Sequence, residues 1–560
     1  MRTVVRGPWS AVRSIAVVGA LVLVGGTAWG QERTTLTVLF TSDVHAHVLP
    51  YDDLRGRPAN GSLAQVASLV ARLRRANPRT VVLDGGDAIE GTPLGYYAIA
   101  ATGAAGHDPT VAAMNLVNYD AAVLGNHEFN FGLDVLRCSL VQSTFPWLAA
   151  NLSGREQASL PFRDELVVER GGVRVGILGL TNPNVPHWDP PSHWAGLNFD
   201  DPVSVAIVRV ADLRRRADVV IVVAHTGFER DLDTDVPNDT GSENYADRLA
   251  HLPGIDLLLT GHTHRNIPPR LVGTTVVAQP GRWAEFVTRV DLDLGRDGGA
   301  WKVTGWQGEN LPTVGEAPDP AVVAAVAEDE ARTRAELARP LGELTAPLGL
   351  ASLPIGDDPA VDLIHAVQLE ASGAQLSLAA PLSGRVEFSA GPITARLAHA
   401  LYPYPNTLVV VRLTGSQLKD VLEHAVRGWT GVECDGGYAL RRDPDLPPYN
   451  YDTLEGGTYL VDPEAPVGHR IRGLRVNGVP VRPDDTFTIA VNSYRAAGGG
   501  EYPHLATAPR VRAIDRPMVD LITEYIARHG KITPAADDNW AFTVPMREAA
   551  APRPSPGVPR

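Results

Sequence analysis

Short apolar segments rich in β-branched residues constrain the fold of this chain more than any other sequence feature. Such runs predict buried strands. Between the first two, apolar residues at helical spacing predict a helix over Leu63–Ala76. Strands that alternate with helices predict an α/β fold, in which we expect a sheet with helices packed on both sides. The predicted strands are Leu36–Phe40, Val81–Leu83, Ala121–Leu124, Val173–Gly179, Val219–Ala224 and Ile255–Thr260.

Five of these six strands are followed directly by side chains that can bind metals. Because ligands collect at the carboxyl ends of strands in such sheets, we expect these side chains to meet at one edge. Carboxylate, amide and imidazole groups together suit Zn, Mn, Fe or Co, and water activated by such ions can hydrolyse phosphate esters. The motifs are Asp43-Val44-His45, Gly85-Gly86-Asp87, Gly125-Asn126-His127-Glu128, Ala224-His225-Thr226 and Gly261-His262-Thr263-His264.

Each motif alone also fits a plainer interpretation. His225 could be a hydrogen-bonded histidine at a strand end, and Gly85-Gly86-Asp87 or Gly125-Asn126 could be simple turns. All five motifs recur in order after strands, and this recurrence predicts one shared metal site. Two divalent ions there would outweigh the charges of two aspartates, so the site would attract phosphate.

The composition excludes several classes of protein. The chain has 560 residues, with 64 acidic and 50 basic side chains and a formal net charge of −14. A protein that coats polymeric nucleic acid needs basic clusters, so we expect no such partner. Only two cysteines are present, which excludes a disulfide-built scaffold and a four-cysteine metal site.

The N-terminus has the features of an export signal. Arg2, Arg6 and Arg13 precede an apolar run over Ile15–Val24, and small residues follow. We therefore predict a signal peptide over residues 1–30 and a periplasmic or extracellular protein without a membrane anchor after cleavage. The alternative is an uncleaved anchor helix, although the run is short for a membrane span.

Composition shifts divide the rest of the chain. Residues 31–311 carry the metal motifs, residues 312–340 predict a linker helix, and residues 341–546 predict a second domain. Residues 547–560 are rich in proline and predicted to be disordered. Within the second domain we expect strands and helices over Leu408–Leu413, Phe487–Val491, Gly415–Arg427 and Met518–His529.

Together the motifs resemble the calcineurin-like metallophosphoesterase superfamily, and within it the exported 5′-nucleotidase family. The resemblance implies β-sandwich-like sheets flanked by helices, an α+β C-terminal nucleotide-binding domain, and two divalent metal ions. It also implies that His127 stabilises the transferred phosphate or protonates the leaving oxygen, where the alternative is a structural histidine. The implied ligands are Asp43, His45, Asp87 and His264 for one ion, and Asp87 (bridging), Asn126, His225 and His262 for the other.

One residue departs from the 5′-nucleotidase pattern. That pattern continues Gly-Asn-His-Glu-Phe with aspartate, whereas this chain has Asn130, which is assigned with His127 to the catalytic residues. A neutral amide cannot hold an imidazolium as a carboxylate would. The asparagine, with Gly132-Leu133-Asp134 after it, resembles the sister branch of 2′,3′-cyclic-nucleotide 2′-phosphodiesterase/3′-nucleotidases.

The C-terminal half resembles the same branch. In this superfamily two aromatic side chains sandwich the base, and the matching positions here are Tyr404 and Tyr494, with Arg385 near the ribose or phosphate. Either tyrosine could instead be a packed core residue. The motifs that carry this resemblance are Tyr449-Asn450-Tyr451-Asp452, Gly456-Gly457-Thr458-Tyr459-Leu460-Val461-Asp462 and Asn492-Ser493-Tyr494-Arg495-Ala496-Ala497-Gly498-Gly499-Gly500.

The resulting prediction is an exported, monomeric hydrolase whose partner is a small nucleotide. It would convert 2′,3′-cyclic nucleotides to 3′-nucleotides, and these to nucleoside and phosphate. The alternatives are a 5′-nucleotidase or nucleotide-sugar hydrolase, a thiosulfohydrolase, and a non-catalytic secreted binding protein with a degenerate centre. The tyrosines argue against the second of these, and the intact ligand set argues against the third.

Overall fold

The computed structural model contains two bodies of mixed α/β structure joined by a helical connection. It describes residues 32–100, 106–238, 242–296, 299–350, 356–382, 386–434, 437–443, 446–544 and 546–548. The predicted signal peptide, residues 549–560 of the predicted tail, and Arg385 lie outside the described residues. Within the described ranges, no helix has both the length and the apolar character needed to cross a bilayer.

The N-terminal body is built on two sheets. One has seven strands in the order β17-β16-β1-β4-β5-β6-β8, and the other has six in the order β14-β15-β13-β12-β10-β9. The strands are β1 Glu32–Thr41, β2 Tyr51–Asp52, β3 Arg57–Pro58, β4 Thr80–Asp84, β5 Ala121–Val123, β6 Trp147–Leu148, β7 Leu152–Gly154, β8 Phe162–Arg163, β9 Glu165–Arg170, β10 Val173–Leu180, β11 Leu197–Phe199, β12 Val219–Ala224, β13 Leu257–Thr260, β14 Asn266–Val272, β15 Thr275–Pro280, β16 Phe286–Arg296 and β17 Lys302–Pro312.

The two sheets pack face to face. Along β12, Val219, Ile221 and Val223 enter a cluster shared with Leu36 and other residues of the first sheet. The alternate residues of β12 pack on the opposite side, against the helices over Pro202–Arg216 and Ala246–Ala250. The expectation of one sheet with helices on both sides is therefore wrong, because each sheet has helices on its outer face only. The sandwich of sheets flanked by helices, which the family resemblance implied, is confirmed.

The helices cover the outer faces of the sandwich. The first begins where the Ser62 hydroxyl accepts a hydrogen bond from the Gln65 amide, and it spans the residues that the apolar spacing predicted. Its buried face packs on the seven-stranded sheet. The helices of this body are α1 Leu63–Ala76, α2 Pro93–Gly95, α3 Pro109–Val117, α4 Leu133–Gln142, α5 Val185–Trp188, α6 Pro202–Arg216 and α7 Ala246–Ala250.

Two helices form the connection, where the sequence predicted one. They are α8 Pro320–Ala325, capped by the Asp319 carboxylate, and α9 Ala327–Leu337. Val326 separates them because its backbone, at φ −108° and ψ 5°, turns out of the helical conformation.

The C-terminal body centres on a five-stranded sheet in the order β26-β20-β30-β23-β31. The helices predicted over Gly415–Arg427 and Met518–His529 are present as α12 and α14. The body comprises β18 Pro340–Leu344, β19 Leu348–Leu350, α10 Pro359–Ser372, β20 Leu376–Ala379, β21 Val386–Phe388, β22 Gly391–Thr394, α11 Ala395–Leu401, β23 Thr407–Thr414, α12 Gly415–Ala425, β24 Trp429–Cys434, β25 Gly437–Arg442, β26 Thr453–Glu455, β27 Gly457–Val461, β28 Ile471–Val476, β29 Val479–Pro480, β30 Thr486–Asn492, α13 Ser493–Ala497, β31 Arg510–Pro517, α14 Met518–His529, β32 Lys531–Ile532, β33 Trp540–Phe542 and β34 Met546–Glu548.

Candidate metal centre

The loops that follow β1, β4, β5, β12 and β13 meet at one edge of the sandwich. The first three strands are parallel neighbours in one sheet, and the last two are parallel neighbours in the other. Their carboxyl ends therefore carry all five predicted motifs to the same place. The five predicted ligands with left-handed backbone conformations are Asp43 (φ 53°), His45 (φ 49°), Asp87 (φ 56°), His262 (φ 69°) and His264 (φ 57°). Such conformations are uncommon outside glycine and cluster at functional sites.

The glycines of the motifs allow the loops to approach closely. A Cβ atom on Gly125 would lie 2.3 Å from Asp87 Oδ1. A Cβ atom on Gly261 would lie 2.1 Å from the Ser42 hydroxyl and 2.9 Å from Asp43 Oδ2. Any side chain at either position would therefore displace an aspartate that faces the centre.

Asp43, His45 and His264 form the first group of possible ligands, with one donor atom of each within 4.8 Å of the others. His45 Nε2 and His264 Nε2 are 2.9 Å apart, and Asp43 Oδ1 lies 3.6 Å from His264 Nε2. His45 Nδ1 lies 3.0 Å from the Glu90 carbonyl oxygen, to which it can only donate, so Nε2 of the neutral ring carries a lone pair. Burial lowers the pKa of His264 to about 3, which keeps this ring neutral as well.

Asp87, His225 and His262 form the second group. His262 Nδ1 lies 3.0 Å from Asn126 Oδ1, so all four residues predicted for this ion are together. His225 Nδ1 donates to the Gly85 carbonyl oxygen at 2.7 Å, which directs Nε2 towards the centre.

His225 Nε2 supplies the test of whether a metal fits. This atom is fully buried and has no hydrogen-bond partner, although Asp87 Oδ2 is 3.0 Å away. Against the opposing effect of burial, Asp87 and Asp43 raise the pKa of His225 to about 9, so a positive charge is favoured at this point. A cation between this nitrogen and the Asp87 carboxylate would satisfy both atoms. The donor set therefore fits a divalent metal.

Asp87 lies between the two groups. Its carboxylate is 3.0 Å from His225 Nε2, and it also forms a cluster with His45 and His127. Its Oδ1 accepts a hydrogen bond of 2.8 Å from the His127 amide. This central position is the one that a bridging ligand requires.

Glu128 is a residue without a role predicted from the sequence. Its buried carboxylate accepts hydrogen bonds from the amides of Gly125 (2.6 Å), Asp87 (2.8 Å) and Ala88 (2.6 Å). One side chain therefore fixes the loops after β4 and β5 relative to each other. Its position directly after a candidate catalytic histidine was the only available signal.

His127 has two partners at one nitrogen. Its Nδ1 lies 2.5 Å from Asn130 Oδ1 and 2.9 Å from the carboxylate of Glu90, which the sequence did not single out. The loop after β4 therefore places a carboxylate beside His127, in addition to the neutral Asn130 that the sequence indicated. Although burial opposes the charged ring, Asp87 and Glu90 raise the pKa of His127 well above its usual value.

Three tyrosines from the C-terminal body face the metal centre across one cleft. Tyr404 and Tyr494, the predicted base-binding residues, both line it, and so does Tyr449, which lies edge-on to Tyr404 with ring centroids 6.3 Å apart. Tyr449 was quoted in a motif but given no role. Arg495 is buried and donates hydrogen bonds to the Asp452 carboxylate, the Gly499 carbonyl and the Tyr449 carbonyl, which joins the segment of Tyr449 to the end of α13, the helix that contains Tyr494.

Comparison with known families finds two matches along the chain. Residues 36–266 match the calcineurin-like phosphoesterase family, and residues 340–507 match the 5′-nucleotidase C-terminal domain. The first match contains every predicted metal ligand, and the second contains all three tyrosines.

Relatives match this chain over most of their length. The chain is 31% identical to a 2′,3′-cyclic-nucleotide 2′-phosphodiesterase/3′-nucleotidase of Yersinia enterocolitica, over 92% of this chain and 89% of the relative. It is 29% identical to the protein of that name from Salmonella typhimurium, over 90% and 88%. A solved structure from Staphylococcus aureus, in complex with α-ketoglutarate, superposes with a TM-score of 0.80 at 27% identity, over 92% of this chain and all of that one.

Proposed function

Because the chain belongs to the calcineurin-like phosphoesterases that carry a 5′-nucleotidase C-terminal domain, we propose that its substrates are 2′,3′-cyclic nucleotides. In this proposal the enzyme, a metal-dependent phosphoric ester hydrolase, opens the cyclic phosphate to a 3′-nucleotide. It then releases phosphate and the nucleoside. The names of the relatives from Yersinia and Salmonella support this choice of substrate.

One observation carries the proposal: the metal centre and the tyrosines line the same cavity. Its volume is about 1910 Å³, and both bodies contribute to its wall. Ligand pockets commonly measure about 300–1,000 Å³, so a nucleotide fits with room for water. A phosphate at the metal centre and a base between aromatic rings correspond to the two ends of a nucleotide.

We assign two divalent ions to the two groups of ligands. Asp43, His45 and His264 would hold one, Asn126, His225 and His262 the other, and Asp87 both. When bound, such ions neutralise phosphate charge and make hydroxide available near neutral pH. His127 then has the task of stabilising charge on the phosphate or protonating the leaving ribose oxygen, since its Nε2 faces the centre 4.0 Å from Asp87 Oδ2.

Product analysis tests the substrate class. The purified, metal-loaded enzyme is incubated separately with 2′,3′-cyclic AMP, 3′-AMP and 5′-AMP, and the products are separated by chromatography. We expect 3′-AMP to form transiently from the cyclic substrate, followed by adenosine and phosphate. Rapid turnover of 5′-AMP with the other two substrates untouched would refute the assignment.

A 5′-nucleotidase is the second candidate, and Glu90 is the observation in its favour. In the sequence, Asn130 counts against this activity because it replaces the aspartate of the 5′-nucleotidase pattern. In the structure, however, the Glu90 carboxylate lies 2.9 Å from His127 Nδ1. The 5′-AMP arm of the same assay measures this activity directly.

We also propose that the protein is exported, on the basis of the arginines and the apolar run in residues 1–30. Cell fractionation and N-terminal sequencing of the mature protein test this. Recovery of the intact N-terminus from the cytoplasm would contradict it.

A further inference from the structure

The loop after β4 brings the Glu90 carboxylate to the same nitrogen of the candidate catalytic histidine that Asn130 contacts. We propose that Glu90 is the positioning residue of His127: its carboxylate supplies the negative charge that the neutral Asn130 lacks. This inference rests on the proposed role of His127 in phosphoester hydrolysis. It assigns a function to a side chain that neither the motifs nor the metal ligands explain.

The geometry at His127 separates two tasks. Asn130 Oδ1, at 2.5 Å, meets the direction of the N–H bond of Nδ1 and accepts the hydrogen bond. Glu90 Oε2 lies 2.9 Å from the same nitrogen and places a full charge beside the ring. Glu90 is only 5% exposed, so water screens this charge weakly. With the proton held on Nδ1, Nε2 faces the metal centre.

Asn130 cannot supply that charge, because its amide is neutral. A third residue orients this amide. Its Nδ2 donates to both oxygens of the Asp189 carboxylate, at 3.0 and 3.1 Å. This pair of hydrogen bonds turns Oδ1 towards His127. The charge of Asp189 therefore lies one side chain further from the ring than the charge of Glu90.

The main chain and the side chain of Glu90 serve different partners. Its carbonyl oxygen lies 3.0 Å from Nδ1 of the metal ligand His45, whereas its carboxylate faces His127. A change confined to the carboxylate therefore leaves the support of the metal centre in place. Glu90→Gln is such a change, because it keeps the size of the side chain and removes only its charge.

The first experiment measures turnover by the metal-loaded Glu90→Gln enzyme. We expect kcat to fall by about 10–100-fold, as for partners that orient active-site ligands, with KM and metal content unchanged. Glu309→Gln is the control, since Glu309 is exposed on β17 and is not among the residues that line the cleft. Wild-type kcat in Glu90→Gln would overturn the proposal.

The second experiment restores a negative charge beside His127, at position 130 instead of position 90. Asn130→Asp with Asp189→Asn exchanges amide and carboxylate, which keeps a hydrogen bond between the two positions and places a carboxylate at Nδ1. Introduced together into Glu90→Gln, these changes should restore kcat by at least about tenfold, because charge rather than shape was lost. A variant that retains its metal without recovering activity would contradict the proposal that the charge of Glu90 positions His127.

A spectroscopic measurement is independent of turnover. In zinc-loaded protein labelled with ¹⁵N at the imidazole rings, the Nδ1 signal of His127, assigned with His127→Ala, should shift in Glu90→Gln and not in Glu309→Gln. An unchanged signal would contradict the contact.

Phenyl phosphate separates this inference from the proposed function, because its hydrolysis requires no base recognition. If the wild type hydrolyses phenyl phosphate but no nucleotide, the nucleotide assignment fails. The role of Glu90 is then decided by the kcat ratio on phenyl phosphate alone.

Discussion

On the metal wall of the cleft, five candidate ligands have left-handed backbones and Glu128 fixes two of their loops through three amides. On the aromatic wall, Tyr404 lies in a loop, Tyr449 in a single 3₁₀ turn and Tyr494 in α13, and the rings of Tyr404 and Tyr449 lie edge-on to each other. The backbone conformation of the loops on the metal wall fixes the positions of the candidate metal ligands. The aromatic wall depends on side-chain packing around Arg495.

This difference has consequences for function. Metal ligands must converge on a point, so an error of a few tenths of an ångström matters, and the backbone conformations provide that precision. A base can stack on any π face, so the aromatic wall tolerates small shifts. We therefore expect substitutions to abolish activity at the metal wall and to reduce affinity by degrees at the aromatic wall.

The largest expected effect is that of Asp87→Asn. This change removes a charge from the residue between both ligand groups, so metal content should fall and hydrolysis should decrease by about 10³-fold or more, since metals supply several kcal/mol of transition-state stabilisation. Elemental analysis and phosphate release measure the two quantities. Asp357→Asn is the control, because Asp357 belongs to a group of three carboxylates without histidine in the C-terminal body. Normal metal content with normal activity in Asp87→Asn would remove the distinction between the walls.

His127→Ala should have the next largest effect. Because His127 is assigned to proton transfer and not to metal binding, kcat should fall by about 10²–10⁴-fold while metal content stays at the wild-type level. Steady-state kinetics with 2′,3′-cyclic AMP and elemental analysis of the same sample check this. Loss of metal would mean that His127 is a ligand, which its place in the cluster with His45 and Asp87 would allow.

Tyr494→Ala tests the aromatic wall. Loss of one stacking contact, of about 1–3 kcal/mol, should raise KM for 3′-AMP by about 5–150-fold with little change in kcat. Hydrolysis of p-nitrophenyl phosphate, which has no base, is the internal control and should keep its KM. Equal losses on both substrates would indicate that Tyr494 supports the fold rather than the base.

The same difference explains how much the sequence could predict. The seven candidate ligands follow strands directly, so their spacing along the chain already encodes their convergence. Asn130 could be read from the sequence as a departure from the 5′-nucleotidase pattern. Glu90 could not be predicted beside His127, because it comes from another loop and only the folded structure brings them together. The apolar pattern of the strands did not predict the sandwich of two sheets, which only the family resemblance implied. Residues buried between sheets and under helices are equally apolar, so the pattern cannot distinguish them.

The aromatic wall was less predictable for a physical reason. Tyr404 and Tyr494 could be proposed from family resemblance, but a tyrosine in a cleft and one in a core have the same local sequence signals. Tyr449 shows this: its motif was noticed, yet its place opposite the metal centre depends on contacts with Arg495 and Tyr404 that have no periodicity.

Two buried histidines show why a depressed pKa does not by itself identify a metal ligand. Burial lowers the pKa of His365 in the C-terminal body to about 3, as it does for His264 in the metal wall. However, both nitrogens of His365 have hydroxyl partners, Ser377 at 2.9 Å and Thr453 at 3.0 Å. His264 Nε2 instead faces a second imidazole nitrogen and a carboxylate. The partners of the ring, and not its pKa, distinguish the two.

His365→Asn gives the smallest expected effect, on the pH dependence of stability. Since the native pKa is about 3 and the unfolded value about 6.5, the unfolded chain binds the proton first as pH falls. The contribution of the neutral His365 ring to the free energy of unfolding is complete above pH ~6.5. It is lost on acidification, by up to about 1.4 kcal/mol per pH unit.

We therefore expect the free energy of unfolding of His365→Asn to depend less steeply on pH between about 6.5 and 4 than that of the wild type, even if the variant is less stable overall. Urea unfolding across this range measures the slope, and the exposed His469→Asn should keep it. An unchanged slope in His365→Asn would mean that His365 is protonated in the native state. The hydroxyls of Ser377 and Thr453 would then each accept a hydrogen bond from one ring N–H group of His365. Burial alone would then not keep a histidine of this fold neutral.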